Sequence, residues 1–203
     1  ASTRMFWTYN TSANSWSALA QTPASVRNGG ALAYANGNVY GLRGNDENDF
    51  WRYDIGADAW SNRASLPVNT GWGAALAWDG TDTIYAFAGS DSKDFYTYSI
   101  SANAWTSLAN TPADVNDGGA LAYAGGYVYA FRGNTTTAFW RYYVASSAWE
   151  VKASTPATVD QGGSLAWDGG DFIYAFRGNS ATAFWRYYIN GDSWTALTSA
   201  PAT

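Results

Sequence analysis

Residues 29–60 read GGALAYANGNVYGLRGNDENDFWRYDIGADAW, and the same text returns in altered form along the rest of the 203-residue chain. The stretch is four short strand-forming runs separated by turn-forming ones. Gly30 to Tyr34 is small and apolar, Asn36-Gly37 is a two-residue hairpin signal, and Val39 to Leu42 forms the returning strand. A polar loop leads to Phe50–Ile55, and a second polar turn leads to a strand at Trp60. Alternation along the third run sends Trp51, Tyr53 and Ile55 to one face and Phe50, Arg52 and Asp54 to the other. Both faces then carry aromatic side chains, so both must be covered. No segment has a helical period.

The spacing is rigid. A Trp recurs at 16, 60, 105, 149 and 194, at intervals of 44, 45, 44 and 45 residues. Ten residues ahead of each stands Phe6, Phe50, Phe95, Phe139 or Phe184, and ten ahead of the last four of these stands Tyr40, Tyr85, Tyr129 or Tyr174. A period of this size marks stacked β units. The expected fold is all-β, built of β-propeller blades of four antiparallel strands that bury each other's faces by stacking radially. The Ala-rich first strands (Ala31, Ala33, Ala75, Ala77, Ala120, Ala122) suit the narrow centre. The units run 28–70, 71–115, 116–159 and 160–203, preceded by an outer half-blade over 1–27 that holds only third and fourth strands. Neither end of the chain supplies the missing inner strands. Three accounts fit: a piece of a longer protein, strands given by another subunit, or an open arrangement. An unpaired inner edge invites association.

These residues resemble the kelch repeat. Gly29-Gly30, Tyr40, Gly44, Tyr53 and Trp60 carry the likeness in the first unit. Tyr85, Gly89, Tyr98 and Trp105 carry it in the second, Gly118-Gly119, Tyr129, Gly133, Tyr142 and Trp149 in the third, and Gly162-Gly163, Tyr174, Gly178, Tyr187 and Trp194 in the fourth. The departure is at the end of strand two, where the kelch pattern has Gly-Gly. Here it reads Arg43-Gly44, Ala88-Gly89, Arg132-Gly133 and Arg177-Gly178.

Composition narrows the function. There is no His and no Cys, which removes Ser-His-Asp and Cys-His catalysis and the His/Cys sites of zinc, copper and haem. No catalytic residue, metal site or cofactor is expected, and the chain reads as a non-enzyme. The acidic loop Asp46-Glu47-Asn48-Asp49 is a solvated loop or, less economically, a calcium ligand set; Asp79 and Asp168 read as turn formers. Net charge is −5, which disfavours nucleic acid, and no run is long and apolar enough to insert in a membrane. A chain rich in Ser, Thr, Asn, Gly and aromatics and poor in Lys resembles surface proteins, so a secreted or cell-surface location is the expectation. The sequons at Asn10 and Asn134 then become glycosylation candidates.

Six of the nine arginines fall at two repeated places. Arg43, Arg132 and Arg177 end strand two; Arg52, Arg141 and Arg186 lie in strand three beside Trp51, Trp140 and Trp185. The second unit loses both together, having Ala88 and Thr97. Two readings fit: Arg stacked on Trp or bonded to carbonyls between blades, and a repeated Arg/aromatic pocket for a carbohydrate or a carboxylate. The expected function is accordingly a structural or protein-interaction scaffold, with copies of itself among the candidate partners; the alternative is a glycan-binding, lectin-like propeller.

Overall fold

A computed structural model describes residues 3–201. Among these residues there are eighteen strands and no helix, in five antiparallel sheets joined in chain order. The first blade is β3 (Ala31–Ala35), β4 (Asn38–Leu42), β5 (Phe50–Asp54) and β6 (Ala59–Asn62). The second is β7 (Ala75–Trp78), β8 (Thr83–Phe87), β9 (Phe95–Ser99) and β10 (Ala104–Ser107). β11 (Ala120–Ala124), β12 (Tyr127–Phe131), β13 (Phe139–Tyr143) and β14 (Ala148–Val151) make the third. β15 (Ser164–Trp167), β16 (Phe172–Phe176), β17 (Phe184–Tyr188) and β18 (Ser193–Ala196) make the fourth, and the half-blade is β1 (Phe6–Asn10) paired with β2 (Ser15–Leu19). The inner strands β3, β7, β11 and β15 pack side by side in that order, which makes the four sheets the blades of a β-propeller. β5 ends at Asp54, so Ile55 leaves the alternation and stands 51% exposed in the turn, contrary to the expectation that it would continue the Trp51/Tyr53 face.

One contact joins every pair of neighbouring blades. Phe50 of the first blade lies edge-on to Tyr98 at 4.8 Å and to Trp105 at 4.9 Å in the second. Phe95 lies edge-on to Tyr142 at 5.0 Å and tilted against Trp149 at 4.9 Å, and Phe139 lies edge-on to Tyr187 and Trp194 at 4.8 and 4.9 Å. In the half-blade, Phe6 does this to Tyr53 and Trp60 at 4.9 and 5.0 Å. Such edge-to-face pairs gain about 0.5–1.5 kcal/mol beyond the area they bury. The surrounding cores are shared between blades: Tyr40, Leu42 and Phe50 pack with Leu76, Ile84 and Ala86 of the next sheet.

Polar groups pin the same seam. The indole Nε1 of Trp60 donates to Ala20 O at 3.0 Å, Trp105 to Ala64 O at 2.8 Å, Trp149 to Ala109 O at 2.9 Å and Trp194 to Ala153 O at 2.9 Å. Beside three of them, an Asp or Asn accepts twice. Asp58 Oδ1 takes the Tyr53 hydroxyl at 2.7 Å and Ala20 N–H at 2.7 Å, and Asn103 and Asp192 do the same for Tyr98 with Ala64 and for Tyr187 with Ala153. The third blade has Ser147 in that place, and the buried Tyr142 hydroxyl is left without a partner.

The first strands are preceded by a turn in which glycine is required. Gly118 has φ +83°, and a Cβ there would sit 2.3 Å from Asp160 O of the next blade; Gly162, at φ +82°, faces nothing closer than 3.8 Å. Both alanine variants carry the left-handed penalty of about 1–2 kcal/mol. Gly118→Ala should therefore lower the denaturant midpoint far more than Gly162→Ala; equal losses would show that the blade-to-blade approach is not what demands glycine. In the third blade Ser147→Asp, at φ +53° where Asp is tolerated, should stabilise by about 1 kcal/mol, the net worth of one hydrogen bond. An unchanged urea midpoint would mean that the Tyr142 hydroxyl already has what it needs.

Candidate functional site

The six repeated arginines do not form pockets with their neighbouring tryptophans. Adjacent residues of a strand face opposite ways, and Trp51, Trp140 and Trp185 are each 3% exposed, edge-on to Trp60, Trp149 and Trp194 of their own blade. Arg43 donates through Nε to Ser25 O at 3.2 Å, Arg132 to Asp114 O at 3.0 Å and Arg177 to Thr158 O at 2.8 Å. Each thus clamps the linker that enters its blade. Arg43 also holds Asp49 at 2.8 Å and Glu47 at 3.4 Å, which commits two carboxylates of the acidic loop. Arg141 lies over the Tyr127 ring at 4.2 Å and meets Glu150 at 2.5 Å; the guanidinium holds the Glu150 carboxyl below its ordinary range. Arg186 lies over Phe172 at 4.3 Å, and Arg52 meets Asp54 at 3.6 Å. Three of the six arginines thus bond linker carbonyls, and two lie over the Tyr127 and Phe172 rings.

The other expected residues fall in turns. Asp79 Oδ1 accepts from Thr81 N at 2.7 Å and Thr83 N at 3.1 Å, and Asp168 Oδ1 accepts from Gly170 N at 2.7 Å and Phe172 N at 3.2 Å. Among the described residues no group of three or more His, Cys, Asp or Glu side chains is placed to hold a metal ion. Asn10 and Asn134 are both exposed, Asn10 with its Oδ1 accepting from Ser12 and Ala13 N–H groups.

What the blades do bring together lies at one end of the axis, on residues the sequence pattern passed over. Four turns converge there: Arg27–Gly30, Gly71–Ala74, Asn116–Gly119 and Asp160–Gly163. Each closes with an N–H···O=C bond from its fourth to its first residue, at 3.0, 2.9, 2.8 and 2.8 Å, and has a positive-φ glycine third. That is the signature of a type II turn. The second residues are Asn28, Trp72, Asp117 and Gln161, and their carbonyls are held by Asn45, Ser90, Asn134 and Asn179 N–H at 2.7–2.8 Å. Together the four turns border an open hollow of about 280 Å³. Gln161 Nε2 reaches Asp117 Oδ2 at 3.4 Å, while Asp117 Oδ1 is buried with no partner. Burial first, then the nearby Asp160 and Asp91, push the Asp117 carboxyl above its ordinary range. Sequence reasoning missed these positions because it searched for sameness, and here one fixed position carries four different side chains.

The fold has a solved counterpart. The chain superposes on the structure of YjhT with a TM-score of 0.74, over 91% of this chain and 69% of that one, at 15% sequence identity. The likeness is one of architecture alone. No family model and no curated protein matches the sequence.

A carboxyl whose pKa is raised on folding favours the folded state while protonated, and that contribution is lost as pH rises through the raised value. Asp117→Asn should therefore gain in melting temperature over the parent as pH goes from below the usual aspartate value of about 3.9 to neutrality. A constant difference across that range would show that Asp117 titrates normally.

Proposed function

We propose that the chain is a non-enzymatic, extracellular scaffold of kelch-like blades that engages protein, copies of itself first, through two blade faces left uncovered. A propeller fold suits an interaction or binding scaffold. The observation that carries the reading is that the two faces are the two halves of the seam repeated inside the chain. On the half-blade, Tyr9, Trp16 and Asn14 stand where Tyr53, Trp60 and Asp58 stand in the first blade, with Tyr9 already bonded to Asn14, yet Trp16 is 67% exposed. On the fourth blade, Phe184 occupies the place of Phe139, and Phe176 beside it is 42% exposed where Phe131 is fully buried. β1 also pairs with β2 alone, and a groove of about 230 Å³ lined by Met5, Phe6, Leu32 and Trp60 runs beside it.

A second copy offers both halves of this seam: a Phe184 wedge for the Tyr9/Trp16 cleft, and a Thr198 main chain at the register of Ala20, Ala64, Ala109 and Ala153. Such a contact is heterologous and propagates into rings or filaments. The absence of His and Cys and the engagement of acidic side chains with turns and arginines support the non-enzymatic part.

Sedimentation velocity over a rising concentration series should show concentration-dependent association. Phe184→Asp and Trp16→Asp should each abolish it while a cooperative melting transition is kept, since both side chains lie outside the internal seams; Phe184→Asp should cost some melting temperature through its stacking on Tyr174 and Phe176. A monomer at every concentration would overturn self-association, and so would association unaffected by both variants.

A further inference from the structure

We propose that the hollow between the four type II turns binds one ring of a neutral saccharide, with its apolar face on Trp72 and its hydroxyls on Asp117, Gln161 and Asn28. The site is separate from the blade faces and from the six repeated arginines.

Three observations carry it. First, the backbone is fixed before any ligand arrives. Each turn is closed internally and tied by its second-residue carbonyl to the loop after strand two, so the four side chains spring from a rigid frame. Second, the Trp72 ring and one carboxylate oxygen of Asp117 are unspent. Trp72 is 43% exposed, and its ring makes none of the aromatic contacts that occupy Trp60, Trp105, Trp149 and Trp194. Asp117 Oδ1 is buried without a partner, a state that costs free energy until a donor is supplied. A type II turn accepts most residues in its second position, so the turn itself requires neither the indole nor the carboxyl. Third, the size and charge select the ligand. About 280 Å³ lies at the small end of ligand sites, which begin near 300 Å³. An exposed indole offers an apolar plate, while one carboxyl and two carboxamides offer acceptors and donors for vicinal hydroxyls. Asp117, with Asp160 and Asp91 close by, disfavours sugar acids. Sugar binding therefore moves from the Arg/Trp positions, which are engaged structurally, to the axis.

The test is an array of immobilised uncharged and acidic glycans probed with the 203-residue chain, followed by calorimetry with the methyl glycosides of any hits. Choline, which an indole beside a carboxylate would also attract, serves as the competing probe. Binding confined to uncharged sugars is expected, weakened roughly tenfold or more, about 1.4 kcal/mol, in Trp72→Ala. It should also weaken in Gln161→Ala, whose side chain is exposed and makes no contact the fold needs beyond Asp117. Trp16→Ala, on the half-blade, should leave it unchanged. An array with no uncharged hit, hits that survive both axial variants, or choline bound in place of sugars would each overturn the assignment. None of these outcomes bears on association through the blade faces, which sedimentation reads separately.

Discussion

A four-stranded sheet with aromatic side chains on both faces has no stable existence alone in water. What makes this one tenable is the insertion of a single phenylalanine into the tyrosine–tryptophan cleft of the next sheet. Phe6, Phe50, Phe95 and Phe139 make this contact with ring separations that agree within 0.2 Å, from 4.8 to 5.0 Å. The blade is thus only half of a folding unit. Its two faces are unlike, one carrying the wedge and the other the cleft, which gives the array a direction.

The polar groups follow from that packing. A tryptophan pressed against a neighbouring blade brings its N–H into an apolar seam, where an unpaired donor is costly. The chain answers with the carbonyl of the linker just past the preceding fourth strand, four times over. The tyrosine hydroxyl raises the same problem, and the Asp or Asn at the β-turn solves it in the first, second and fourth blades. Burial and the hydrogen bond to Asp58 push the Tyr53 hydroxyl up to about 12, so it stays a donor under any ordinary condition. At the axis the constraint is space in the first three turns, where the next blade approaches so closely that only glycine fits, and that closeness gathers the second residues into one hollow.

The architecture was legible because the wedge and cleft repeat at fixed distances: Phe, then Tyr three residues on, then Trp seven further on. Strand count, half-blade and Ala-rich centre came with it. The arginines were legible as a group, but their individual partners were not. Arg52 and Trp51 are neighbours in the text and therefore opposites in the sheet, while the partners that matter lie elsewhere: the carbonyl of Ser25 for Arg43, and the Tyr127 ring for Arg141. Ile55 failed for a local reason, since Gly56 and the following turn stop the strand at Asp54.

The positions that repetition hid are informative for that reason. Where a side chain must meet the next blade, the chain repeats Phe, Tyr and Trp with little variation, because every seam sets the same geometric condition. Where a turn fixes only the backbone, the side chain is released from that condition, and the four blades present Asn, Trp, Asp and Gln. Identical scaffolding around unlike groups is how one repeat builds both uniform seams and an asymmetric hollow. Each seam between blades joins a wedge to a cleft and so repeats the same three side chains, while the turns at the axis, free of that condition, gather four unlike ones.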